Sequence, residues 1–324
     1  MAEIIKRDIV ALIFDLDDTL LPDSTTKLLK EHGIDTSTFW EKDVNALIQQ
    51  GYDPPTAWLN LLLQNVGPGK PLGQLTNSAL RKFGESLDDT FYRGLPAFFD
   101  DVTNDVKKNF ENIEIEFYIV SGGLYEVARG SKIIQRYFRA TYGCHLAGDT
   151  ADGILKYIKR SITFTEKTRY IYEINKGIEP SAAWKNPILV NKFIPLEQRR
   201  IPIQNMIYVG DGMTDIPCFS MLKQSGGRGF GVFDPKRQSK TKQALEEFLQ
   251  TDRVLSMHAP DYSPDAELGA MLKGSVSGGP TLTIHTDRGQ VVVRKASAED
   301  KPLVPKEDTK STPVPAGPLK KVDQ

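Results

Sequence analysis

Cysteine is scarce in this chain: of 324 residues, only Cys144 and Cys218 carry a thiol. Two thiols make neither a disulfide framework nor a zinc cage, and a reducing compartment is the expectation. An excess of charge of one sign is lacking too. The formal net charge is −1 at pH 7, which leaves no global field to draw the protein onto nucleic acid or an acidic membrane. No apolar run approaches membrane-spanning length, and the opening "MAEIIKRDIV" has no long apolar stretch of the signal-peptide kind. No internal repeat is present. Together these absences predict a soluble, cytoplasmic protein with neither a nucleic acid nor a membrane as partner.

What is present suits an α/β domain. Apolar residues make up 40% of the chain, enough for a sizeable core. Ile9 to Phe14 is a continuous apolar, β-rich run, the pattern of a strand buried on both faces of a parallel sheet. Pro22 and Asp23 end it. From Ser24 to about Leu87 the texture is helical. Ser24 is a candidate cap for "TTKLLKEH", with Gly33 just past its end. Phe39, Trp40, Val44, Leu47 and Ile48 share one helical stripe, and "PPTAWLNLLL" opens a helix with proline in its first turn. "QLTNSALRKFGESL" is a further helix, weakened by Gly84. A helix entered through Pro96 then leads to the strand "IEIEFYIV" and the turn Ser121-Gly122-Gly123, followed by a helix from about Leu124 to Tyr137. "ATYGCHLAGD" and "ILKYIKRSITF" read as two short strands around "TADG". Thr165 is a candidate cap for "EKTRYIYEINK", which Gly177 ends. "NMIYVG" and "GFGVF" are core strands; "SKTKQALEEFLQ" and "DAELGAMLK" are helices on either side of "RVLSM".

Strands separated by helices predict an α/β core with a parallel sheet. The helical block between the first two strands is too long for a crossover. The expected division is therefore a core over 1–20 and 95–274 and an inserted all-helical cap over 21–94. Past Gly274 the chain turns proline-, glycine- and charge-rich, and 275–324 reads as a largely disordered tail. Within it, 281–294 alternates apolar and polar around Asp287, Arg288 and Gly289, the pattern of a weak hairpin.

In open parallel sheets ligands bind at the carboxyl ends of the strands. Asp15 and Asp17 follow the first strand, Ser121 and Gly122 the second, and Gly210, Asp211, Gly212 and Asp215 the third, in "YVGDGMTD". Neighbouring parallel strands would bring all of them together. Each pair of like charges at about 4 Å costs roughly 4 kcal/mol at an effective dielectric near 20, so four carboxylates there call for a cation. Oxygen-only donors, with no cluster of His and Cys to favour a softer metal, point to Mg²⁺. A metal, a hydroxyl and glycine amides together suggest phosphoryl chemistry, in which positioning and neutralisation of the oxygens do most of the work. Lys167 is the candidate to complete the ring of donors, ahead of Lys156, Lys159 and Lys192. Each piece also has a plain structural reading. Asp15 and Asp17 would merely cap a turn, Ser121 would sit in an ordinary strand-to-helix turn, Lys167 would be a solvated helix lysine, and Trp40, Trp58 and Trp184 would be core.

"DLDDT", the strand ending in Ser121, the later Lys167 and "GDGMTD" resemble, in chain order, the four motifs of the haloacid dehalogenase (HAD) superfamily. The resemblance covers roughly residues 8 to 274 and looks closest to its phosphoserine-phosphatase-like branch. It implies a Rossmann-like sheet flanked by helices, with the cap inserted after the first strand. It also implies a Mg²⁺-dependent phosphatase of a small phosphorylated metabolite. Asp15 would be the nucleophile that becomes an aspartyl phosphate, and Asp17 the general acid and base. Ser121, Gly122 and Lys167 would hold the phosphoryl oxygens. Mg²⁺ would be held by Asp15, the Asp17 carbonyl and Asp211, with Asp215 acting directly or through water. An aspartate at the position of Asp17 marks the ester hydrolases of that superfamily. One departure stands out: the phosphoserine enzymes carry a cap glutamate soon after the first motif, and here none lies between Asp15 and Glu31; Asp23 is a candidate substitute and equally a turn residue before a helix. Two other readings stay open: a phosphotransferase on the same fold, and a non-catalytic regulatory protein that uses its tail.

Overall fold

The computed structural model describes residues 8–110, 113–149, 151–235, 245–277, 284–287 and 290–293. The chain divides into two compact units, Met1–Pro280 and Thr281–Gln324, which are described separately. Among the described residues no helix is long and apolar enough to cross a membrane.

The larger unit is built on a seven-stranded sheet. Its first strand, β1 (Asp8–Phe14), lies between β2 (Ile113–Leu124) and β5 (Met206–Gly210), parallel to both. Outward from β2 come β3 (Phe138–Gly148), also parallel, and β4 (Leu155–Arg160), antiparallel to β3. Outward from β5 come β6 (Arg228–Val232) and β7 (Ser256–His258), both parallel. The order is thus β4-β3-β2-β1-β5-β6-β7. Ile9 to Phe14 are all buried, as the unbroken apolar run requires of a strand covered on both faces. Phe14 sits edge-on to Phe99, Phe138 and Tyr262, with centroids 6.1–6.2 Å away.

Between β1 and β2 the chain is helical, as its periodicity predicts. α1 (Ser24–Glu31) is followed by a π-helical stretch over Thr38–Val44 that continues into α2 (Asn45–Gln49). α3 (Pro54–Gln64) and α4 (Asn77–Glu85) complete the insert. The α1 cap is Asp23 rather than Ser24, because the Asp23 carboxylate accepts the Thr26 N–H at 2.8 Å. α5 (Ala97–Asn109) leads into β2. The helix expected from Leu124 to Tyr137 is two short ones, α6 (Tyr125–Gly130) and α7 (Lys132–Tyr137). They part at Ser131, whose hydroxyl caps the second by accepting the Ile134 N–H at 3.1 Å. α8 (Glu166–Lys176) ends at Gly177, which has the left-handed backbone (φ 70°) of a helix stop. Its N-cap residue, Thr165, makes no side-chain cap bond. α9 (Pro180–Lys185), α10 (Ile216–Gln224) and α11 (Glu267–Ser277) follow. α11 corrects the expected start of the tail. The helix continues through Gly274, and Ser275 and Val276 are buried.

In the second unit, β8 (Ile284–Asp287) pairs antiparallel with β9 (Gln290–Val293). The rest of the expected tail, 294–324, lies outside the described residues. So does the first half of "SKTKQALEEFLQ"; in its second half Leu245–Leu249 forms a π-helical turn.

Candidate active site

Register brings the motifs together. Phe14 pairs with Ile119 on one side and with Val209 on the other. β1 and β5 therefore end at one level, beside Val120 and Ser121 of β2, and the Asp15 N–H still bonds the Val209 carbonyl at 2.9 Å. After Phe14 the chain turns sharply. Asp18 takes a left-handed backbone (φ 53°), which a short polar side chain tolerates better than most. The turn returns Asp17 to the side of Asp15, and its Oδ1 accepts the Ser24 N–H at 2.7 Å.

The second motif differs from a simple turn. β2 runs on to Leu124, but its pairing with β3 jumps from Val120↔Tyr142 to Leu124↔Cys144. Ser121, Gly122 and Gly123 thus oppose Gly143 alone, a bulge within the strand. Bulges of this kind re-aim side chains beside sites. The Ser121 hydroxyl accepts the Gly123 N–H at 3.0 Å, which leaves its own proton to donate. A Cβ at Gly123 would lie 2.5 Å from Asp17 Oδ2, so glycine is what lets the bulge lie against that carboxylate. The Gly122 carbonyl accepts the Cys144 thiol at 3.1 Å.

Lys167, in the first turn of α8, is fully buried. Its Nζ lies 2.9 Å from Asp15 Oδ2 and 2.7 Å from Asp215 Oδ1. Burial alone would depress its pKa, yet the two carboxylates more than reverse that and hold the ammonium charged. Asp215 also accepts the Tyr208 hydroxyl at 2.6 Å and the Gly212 N–H at 3.0 Å, a bonding pattern that fixes the lysine in place. Even so, burial raises the Asp215 pKa. Burial, then Asp15 and Asp215, push Asp211 well above the usual carboxylate range. Asp17 is raised to about 8 by burial and by Asp23, against hydrogen bonds from Ser24 that lower it. Lys167 is thus one buried cation among more carboxylates than it can neutralise.

Asp15, Asp211 and Asp215 each offer one oxygen, and the three atoms lie within 4.8 Å of one another. All the donors are hard oxygens, which suits a divalent cation of the Mg²⁺ type. The sequence-predicted residues Asp15, Asp17, Ser121, Gly122 and Asp211 line one cavity of about 390 Å³, with Lys167 and Asp215 joined to it through Asp15. Lys156, Lys159 and Lys192 are exposed, and Lys156 pairs with Asp149. Arg81 bonds Glu126 at 2.6 Å and Arg93 bonds Asp261 at 3.3 Å; neither lines the cavity.

Sequence reasoning missed Tyr208 and left Trp40, Trp58 and Asp23 with structural readings beside the functional ones. Tyr208 was readable only as a hydroxyl inside an otherwise apolar strand. Trp40 and Trp58, read as core, line the cavity as well. Asp23, a cap by its bonds, lines it too.

No protein-family model matches the sequence. An uncharacterised protein of Borreliella burgdorferi is 31% identical over 239 residues, which span 67% of this chain and 79% of that one. Similar solved structures include a HAD-family hydrolase of Salmonella enterica serovar Typhi. It has 18% identity and a TM-score of 0.43, with 71% of this chain and 64% of that one covered. A probable phosphoserine phosphatase of Vibrio cholerae has 15% identity and a TM-score of 0.42, with 72% and 58% covered. The chain spans less than two thirds of the length of each of these two solved proteins.

Proposed function

We propose that this chain, which is of one family with the Borreliella burgdorferi protein, is a phosphatase of the haloacid dehalogenase superfamily; the support is that the four motifs resembling that superfamily's gather at the carboxyl edge of one sheet. It hydrolyses a small phosphomonoester through an aspartyl-phosphate intermediate.

In this reading Asp15 attacks phosphorus and the ester P–O bond breaks. Asp17, whose pKa near 8 keeps it protonated at neutral pH, gives its proton to the departing alkoxide. It then takes a proton from the water that cleaves the acyl phosphate, which frees inorganic phosphate and restores Asp15. The Ser121 hydroxyl holds a phosphoryl oxygen and Gly122 shapes the floor, while the Lys167 ammonium, which lies behind Asp15 and does not line the cavity, acts through the Asp15 oxygen it touches. Asp215 and Tyr208 position Lys167. Asp15, Asp211 and, within the same reach, Asp215 would hold Mg²⁺. Bound there, the ion would offset the charge of the acidic side chains and of the phosphoryl group. The helical insert over 21–94 would be the cap that excludes water and selects the substrate.

The observation that carries this reading is Lys167, buried between Asp15 and Asp215. A cation clamped to a would-be nucleophile, beside a second and proton-bearing aspartate, suits covalent phosphoryl transfer better than simple binding. The test is turnover of an aryl phosphate by wild type and Asp15→Asn, with and without EDTA. Turnover that needs both Asp15 and a divalent ion is expected; equal turnover by the two proteins would overturn the reading. Faster release of the aryl alcohol when a second alcohol is added would point to phosphotransfer instead.

A further inference from the structure

The cavity has a second wall, which the proposed chemistry leaves unused. It comes from the helical insert and carries Trp40, Val44, Pro54, Pro55 and Trp58. Phe164, in the segment before α8, lines the same cavity and is 39% exposed, a large apolar side chain left facing solvent.

The two indoles form one surface, with ring centroids 6.2 Å apart and planes inclined by 59°. Trp40 is anchored. Its Nε1–H donates to Thr26 Oγ1 at 2.8 Å, and that hydroxyl donates in turn to Asp23 Oδ2 at 2.6 Å. The other Asp23 oxygen caps α1. The polar edge of the Trp40 indole is therefore satisfied within the protein, and the contact it offers the cavity is apolar. The α1 cap thus also sets the orientation of a ring.

Charge narrows what can lie against this wall. Among the described residues no lysine, arginine or histidine lines the cavity, while Asp15, Asp17, Asp18, Asp23 and Asp211 do. A second anionic group on the substrate, a carboxylate or another phosphate, would meet carboxylates and no cation there. A polyol would find Thr25, Asn45 and the carboxylates to bond but would gain little from the indole, proline and valine surfaces. A flat uncharged ring gains both burial and stacking.

This inference rests on the reading of the site as a phosphomonoesterase: we propose that the alcohol released carries an uncharged aromatic ring, held against Trp40 and Trp58. Hydrolysis breaks the ester P–O bond and forms a P–O bond from water; the products are the aryl-bearing alcohol and inorganic phosphate.

The test compares alkyl phosphates of similar leaving-group basicity: 2-naphthylmethyl, cyclohexylmethyl, ethyl and glycerol phosphates, together with a carboxylate-bearing glycerate phosphate. For 2-naphthylmethyl phosphate we expect kcat/KM at least about tenfold above the ethyl and glycerol esters, mostly through KM, the size of one good aromatic contact. The cyclohexyl ester should fall between, and the glycerate ester lowest. Trp58→Leu should erase the preference. Thr26→Val, which removes the Trp40 anchor at a partly exposed position, should reduce it without loss of fold. Equal kcat/KM across the series, or an equal drop on every ester in both variants, would overturn the proposal. Calorimetric titration of wild type with 2-naphthylmethanol reads the ring site without turnover. Binding that Trp58→Leu abolishes, with no ester hydrolysed, would sink the phosphatase reading and keep the ring site. Hydrolysis without ring preference would do the reverse.

Discussion

Lys167 shows how far a single side chain commits the site. Its burial between two carboxylates means that removal leaves both acids without their cation. Breaking a buried pair of this kind costs about 3–5 kcal/mol, and losing a preorganised donor to a reacting oxygen costs about 10²–10³ in rate. Lys167→Met should therefore lower kcat at least about a hundredfold and shift the urea midpoint downward. A variant that keeps kcat would mean that the lysine serves only the fold. Asp17 makes a different prediction, because its part is to move a proton. In kcat/KM, which reads the alcohol-releasing step alone, Asp17→Asn should slow an alkyl phosphate by about 10²–10⁴ and p-nitrophenyl phosphate far less, since nitrophenolate leaves without a proton. Equal losses on the two esters would remove Asp17 from that role. The acidic residues were legible in the sequence because the chemistry dictates both their type and their place after a strand. Tyr208 and the Trp40–Thr26–Asp23 relay were not. The Tyr208–Asp215 and Trp40–Thr26 partners lie seven and fourteen positions apart and are set by packing, which no local pattern encodes.

At the scale of elements, local propensity and tertiary contact disagree at Gly84, and contact wins. By propensity a glycine inside α4 weakens the helix, and alanine would regain up to about 1 kcal/mol. In the fold α4 lies so close to α6 that a Cβ at Gly84 would overlap the Val127 carbonyl. That overlap is against backbone, which cannot swing aside, and overpacking of this kind costs about 1–3 kcal/mol. Gly84→Ala should thus destabilise the protein in urea unfolding; a gain in stability would show that the two helices can part. The strand pattern likewise located β2 but missed that Ser121-Gly122-Gly123 is a bulge. Its cause is the pairing with β3, invisible until the neighbouring strand is known. His145, on β3, gives a pH prediction. Its ring stacks on Tyr125 with centroids 4.2 Å apart. Burial first, then Arg160 and Lys159, lower its pKa from 6.5 to about 4. The unfolded chain therefore binds the proton more readily than the folded one. The stability this neutral ring contributes is complete above pH 6.5 and is lost as pH falls toward 4. His145→Phe keeps the stacking and removes the titration, so its urea midpoint should fall less than that of wild type across this window. Parallel curves would assign the acid sensitivity elsewhere.

For the whole molecule, the alternation of helix and strand was enough to predict a parallel sheet, and the periodicity after β1 was enough to predict that the block before β2 is helical. The order of the strands was not legible. Which strand flanks β1 depends on crossovers that sequence periodicity does not record, and the antiparallel β4 at the edge follows from the glycine turn before it. The boundary of the tail was misread for a related reason. Gly274 looks like a helix stop, but Leu272 and Val276 are buried in the core, and burial of apolar side chains outweighs the propensity cost of one glycine. The larger unit therefore needs α11 to its last turn. Beyond Pro280 the second unit contributes a two-stranded hairpin, an element of marginal stability alone in water. A chain ended at Pro280 should thus unfold at the same urea midpoint as the full chain and hydrolyse the aryl phosphate at the same rate. A chain ended at Lys273 should be destabilised, because it loses Val276 and the Ser275 carbonyl that accepts the Arg228 guanidinium at 3.1 Å. If ending the chain at Pro280 abolishes turnover, the tail takes part in the chemistry. If it leaves turnover intact but removes a protein retained by the full chain in a pull-down, the tail recruits a partner beside an independent enzyme.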